Sequence, residues 1–139
     1  MTEHTVKAFD EDITRLRGLI AEMGGLAELA IQESMSALVV LTNVPDQTVA
    51  ERLARDLVAR RLAACVNLLA PCRSIYRWEG EVQQDEEVPL LIKTTRARYP
   101  ALEAAIREGH PAELPEIVAV PVECGLAAYL DWVSTETTP

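Results

Sequence analysis

Four residues of this chain are the candidates for holding a metal ion: Cys65, His110, Glu113 and Glu116. A thiolate is a soft donor suited to Cu(I) and also takes Zn(II); imidazole suits Cu(II), Ni(II) and Zn(II), and carboxylates add harder oxygens. Three of the four fall in one short segment, His110-Pro111-Ala112-Glu113-Leu114-Pro115-Glu116. Its two prolines stiffen it, because each forces the preceding residue into extended backbone. His110 has a second reading, as a residue at a helix C-terminus, where the helix dipole favours it. Cys65 stands apart between Ala64 and Val66 in an apolar run, and a cysteine there also serves as a small buried hydrophobe. Cys72 and Cys124 fit no ligand pattern. No nucleophile is followed by an adjacent base and no arginine sits in a phosphate loop, so the expectation is a protein that binds rather than an enzyme.

Composition narrows the partners. The chain has 139 residues, a net charge of −9 and 49% hydrophobic residues. Phosphate backbones demand a basic face, so the net charge argues against nucleic acid and no nucleic-acid partner is expected. No apolar run approaches the roughly 20 residues that span a bilayer, so no membrane partner is expected. The start, Met1-Thr2-Glu3-His4-Thr5, lacks the basic-then-apolar pattern of a signal peptide. Three cysteines, an odd number with no secretory signal, fit reduced thiols in the cytoplasm.

The elements that must position these residues follow from periodicity. Residues 1–34 form a helical extension in which Ile13, Leu16, Ile20, Met23, Ala27 and Ala30 recur at heptad spacing. Gly24-Gly25 is expected to interrupt it. Leu19 and Leu26 lie off the stripe, so the helix is expected to pair with another helix or to be partly disordered. A domain over 35–139 follows. Leu38–Leu41 reads as a buried strand, and Pro45-Asp46 opens a helix with Val49, Leu53 and Leu57 inward. Ala63–Leu69 reads as a second strand closed by Pro71. Ser74–Trp78 and Val82 onward make a long β-hairpin turning at Glu79-Gly80, where glycine accepts the positive φ of a tight turn. Leu90–Ile92 returns that strand to the core. A helix is expected from near Arg96 to Gly109, then a strand at Ile117–Val120, then a last helix with Leu126, Tyr129, Leu130 and Val133.

That order predicts an α+β fold: a ferredoxin-like (split βαβ) sandwich with a long β-hairpin and an added C-terminal helix, preceded by an N-terminal helical extension. Two helices cover one face of the sheet. The other face is apolar and uncovered, which predicts an oligomer.

The segments Leu62-Ala63-Ala64-Cys65-Val66-Asn67, Ser74-Ile75-Tyr76-Arg77-Trp78-Glu79-Gly80, Glu87 with Leu91-Ile92-Lys93-Thr94, His110-Pro111 through Pro115-Glu116-Ile117, and Tyr129-Leu130 with Trp132 occur in a distinctive order and spacing. With them, residues 36–133 resemble the CutA divalent-cation tolerance family. The resemblance implies a homotrimer in which strands of one subunit join the next subunit's sheet. It also implies binding of copper or other divalent metal ions as cofactor or cargo, with Glu87 and Lys93 at family positions suited to an intersubunit ion pair. A second role is analogous in shape to trimeric PII signalling proteins, with a small molecule at the subunit interfaces. One departure stands beside His110: the family usually carries tyrosine where this chain has Ala112. Residues 4–31 resemble the first helix of the PhoU family of phosphate-uptake regulators; one helix of a bundle carries no function by itself.

Overall fold

The structure, a computed structural model, describes residues 2–139, with side chains from Lys7 onward except that of Ser34. The chain divides into two compact units, Met1–Ser34 and Met35–Pro139.

The first unit is one helix, α1 (Thr2–Ser34). Gly24 and Gly25 do not break it, contrary to the sequence expectation. A glycine weakens a helix by about 1 kcal/mol but, unlike proline, neither removes a hydrogen bond nor clashes with the preceding turn.

The second unit runs β1 (Ala37–Val44), α2 (Gln47–Ala59), β2 (Cys65–Leu68), β3 (Cys72–Trp78), β4 (Glu81–Thr95), α3 (Tyr99–Gly109), β5 (Val118–Pro121) and α4 (Ala127–Glu136). The sheet order is β2-β4-β1-β5, and β3 also pairs with β4. All pairings are antiparallel. This is the ferredoxin-like α+β arrangement, with α4 appended.

Period-two alternation decides which face is buried. Leu38, Val40, Thr42 and Val44 of β1 and Val88, Leu90, Ile92 and Thr94 of β4 point inward. They meet Ala50, Leu53, Ala54 and Leu57 of α2 and Leu102, Ala105 and Ile106 of α3. Asp46 caps α2, its side chain accepting from the Val49 N–H at 2.8 Å. At the other end of α2, Arg61 takes φ 54° and reaches α4, donating to the carbonyls of Thr138 and Thr135 at 2.7 Å each. α3 starts at Tyr99 rather than Arg96, because the Arg96 N–H is engaged by the Ser36 carbonyl at 2.9 Å and Arg98 closes a turn on Thr95.

The opposite face carries Val39, Leu41, Val118 and Val120, which sit side by side in the register. Leu41, Val118 and Val120 are exposed.

β4 is the organising strand. Its C-terminal half lies between β1 and β2, and its N-terminal half pairs with β3 alone beyond the end of β1. Three residues, Leu69–Pro71, stand opposite two, Val88 and Pro89, between the β2 and β3 ladders. That extra residue is a bulge, which re-aims the strand. The hairpin turns at Glu79 (φ 49°) and Gly80 (φ 85°). Beyond the sheet it exposes Ile75, Tyr76, Trp78 and Val82.

Candidate functional site

The four nominated residues fall in two places. Cys65 begins β2 and pairs with Lys93 of β4; Asn43, at the far end of β1, pairs with Pro89. Four residues of strand separate those two levels, roughly 13 Å along β4. Because His110 is bonded to the Asn43 carbonyl, Cys65 and the His110 segment do not form one donor set within a subunit. Among the described residues there is no group of three or more His, Cys, Asp or Glu able to hold a metal ion.

Cys65 lies partly buried on the sheet face opposite α2 and α3, at the part that α4 reaches. The Lys93 ammonium is 3.9 Å from its sulfur and bonds the Asn67 side-chain carbonyl. The Tyr129 phenol reaches the same sulfur from α4. Burial, and then the neighbouring Cys65, push the Tyr129 pKa above its ordinary value. Tyr129 also packs against Trp132, ring centroids 5.5 Å apart. Lys93 therefore serves this cluster. Glu87 is six residues away on the same strand, about 20 Å, so the two do not pair within a chain.

His110 follows the last residue of α3 and has extended backbone (φ −92°, ψ 131°). Arg52 of α2 anchors the segment's start, donating to the Gly109 carbonyl at 3.1 Å. Both imidazole nitrogens are engaged. The Ala112 N–H lies 3.1 Å from Nδ1, and the Asn43 carbonyl 2.6 Å from Nε2. An amide can only donate and a carbonyl only accept, so Nδ1 is the bare nitrogen and Nε2 carries the proton. Asn43 then closes the loop from its other end, its amide donating to Glu116 Oε2 at 2.6 Å. Asn43 is the residue sequence reasoning missed. The only signal was a polar residue at a strand end before Pro45, which reads equally as a turn former.

Glu113 and Glu116 are exposed on the loop. They line an open cleft of about 960 Å³ whose other wall is the hairpin, with Tyr76, Trp78 and Glu87. Tyr76 donates to Asp85 across the hairpin. That bond first, then partial desolvation and the nearby charges of Asp85 and Glu87, raise the Tyr76 pKa. The cleft thus joins aromatic walls to three carboxylates, with Ala112 also on its lining.

Known proteins resemble this chain in sequence and in fold. Divalent-cation tolerance protein CutA of Thermus thermophilus is 48% identical over 99 residues, 71% of this chain and 96% of that protein. Mouse Protein CutA is 46% identical over 93 residues, 67% of this chain and 52% of the mouse protein. Among solved structures, CutA of Xylella fastidiosa superposes with a TM-score of 0.73 at 40% identity, over 74% of this chain and 99% of that one. The periplasmic divalent cation tolerance protein CutA of Archaeoglobus fulgidus gives 0.71 at 30%, over 73% and 99%. The profile of the CutA1 divalent ion tolerance protein family matches residues 38–136, and with the ferredoxin-like sheet, the overhanging hairpin and the His110 loop all in place, the chain belongs to that family.

Proposed function

We propose that this protein is a homotrimer that takes up divalent metal ions, copper among them, in the carboxylate cleft between hairpin and His110 loop, in the service of divalent-cation tolerance. The observation that carries the reading is that Glu87, Glu113 and Glu116 line one open cleft directly beside the exposed apolar hairpin. A neighbouring subunit docked on that hairpin brings its own donors to carboxylates that are too few in one subunit. The trimer itself is supported by the uncovered Leu41, Val118 and Val120 face and by a hairpin whose β4 edge has no strand beside it among the described residues. Such edges and faces seek partners. His110 holds the loop in this scheme rather than ligating. Cys65 is a separate soft donor on the same side of the sheet, beside α4. Three free thiols fit a reducing compartment, the cytoplasm, and among the described residues no helix is long and apolar enough to cross a membrane.

Titration of the full chain with Cu(II), followed by equilibrium dialysis, tests the reading. The Glu113→Gln/Glu116→Gln pair is expected to weaken binding at least about tenfold, while sedimentation still gives three times the 15.3 kDa chain mass. Unchanged affinity in the double variant removes the cleft as the site, and a folded 15.3 kDa species removes the trimer.

The cleft's size supports a second reading, a PII-like signalling trimer binding a small molecule. Ligand pockets commonly measure about 300–1,000 Å³ and combine apolar walls with a few polar groups. A thermal-shift comparison of metabolites against metal ions separates the two.

A further inference from the structure

We propose that α1 is an assembly helix, packing parallel and in register against α1 of the other copies of this chain as a coiled coil. The family match begins at Leu38, so α1 is an addition to the domain with its own apolar surface. Phe9, Leu16, Leu19, Ile20, Met23 and Leu26 are each about half to two-thirds exposed on it. A helix of 33 residues is about 50 Å long. Its interior glycines Gly18, Gly24 and Gly25 each cost about 1 kcal/mol relative to alanine, and isolated helices in water are marginal without packing. The apolar stripe must therefore be what stabilises it.

The stripe has the form of a self-complementary seam. Written as heptads, Ile13, Ile20 and Ala27 occupy position a, and Phe9, Leu16, Met23 and Ala30 position d. Leu19 and Leu26 fall at g and widen the seam. The glycines fall at f and e, and a Cβ at each would meet nothing within 4 Å. Gly18 and Gly25, at f, lie away from the seam, where loss of a side chain removes no packing, and Gly24, at e, leaves room for Leu19 of the facing helix. Charge selects the occupant and its direction. In a parallel pair each g residue faces the other helix's e residue five positions on, and such pairs set orientation. Asp12 is at g and Arg17 is at e, five positions on. Parallel self-pairing therefore sets carboxylate against guanidinium on both sides of the seam.

Cross-linking of the full chain tests this directly, and independently of the trimer reading, because it reports on α1 alone. Leu16→Cys and Met23→Cys each place a thiol at d, where an in-register parallel pair brings identical positions together. Gly18→Cys and Gly25→Cys place it on the outer side, and the unsubstituted chain gives the background from the native thiols. Under mild oxidation the two d variants are expected to shift to the disulfide-linked pair on non-reducing gels, with the f variants at background. In the Leu16→Cys chain, Arg17→Asp should reduce linkage, and adding Asp12→Arg should restore it. Equal linkage at d and f positions, or none above background at both d positions, overturns the proposal. Failure of the charge exchange to restore linkage overturns the parallel direction.

Discussion

Removing the His110 ring separates a residue that holds the loop from one that holds a metal. In His110→Ala, two hydrogen bonds disappear, the 2.6 Å bond to the Asn43 carbonyl and the 3.1 Å bond from the Ala112 amide. The part-buried bond to Asn43 contributes about 1 kcal/mol net and the exposed bond from Ala112 no more than that, so the variant should lose up to about 2 kcal/mol. For a domain of this size that is a fall of roughly 10 °C in Tm, read at fixed protein concentration because assembly makes Tm concentration-dependent. His110→Gln keeps one donor for Asn43 and should recover about half the loss. Divalent-ion affinity should change less than about fivefold in either variant, since a metal entering at either nitrogen must first break a bond worth about 1 kcal/mol. The reasoning is refuted if His110→Ala leaves Tm within 2 or 3 °C of wild type, roughly the scatter of a surface substitution, or if it abolishes metal binding while leaving stability intact.

Four further outcomes follow from the same geometry. Arg61→Gly should be more stable in denaturant than Arg61→Ala by about 1 kcal/mol: both lose the bonds to Thr135 and Thr138, but only alanine keeps a Cβ at φ 54°. Leu57→Ala, at a fully buried position under the sheet, should cost about 3 kcal/mol in the same assay. The Tyr76 phenol should titrate above the ordinary tyrosine range, so its bond to Asp85 persists at neutral pH and is lost as pH rises through the raised pKa; Asp85→Asn should bring the ultraviolet titration back toward the ordinary value. Val120→Glu puts an unpaired charge on the uncovered face and should lower the sedimenting mass, whereas an unchanged mass would place the subunit seam elsewhere.

The sheet and its helices were legible because the signals are local. The alternation of Leu38 and Val40, the Asp46 cap and the Gly80 turn each depend on a few neighbouring residues. The unbroken α1 was not legible, since glycine weakens a helix without forbidding it. The site was only half legible. His110, Glu113 and Glu116 are close in sequence and remain close, but the partner that organises two of them, Asn43, lies 67 and 73 residues away. Cys65 is separated from them by strand register, which depends on the Leu69–Pro71 bulge and no short motif announces. Lys93 matches a family position for an ion pair across subunits; within the chain it turns to Asn67 and Cys65, and six residues of extended backbone separate it from Glu87.

β4 spends its first half in one ladder and its second half in another, over about 50 Å of continuous backbone. It behaves as a lever whose inner arm is clamped between β1 and β2, with Leu90 and Ile92 wedged beneath the helices. A load on the outer arm would therefore be carried along the same backbone into the middle of the sheet.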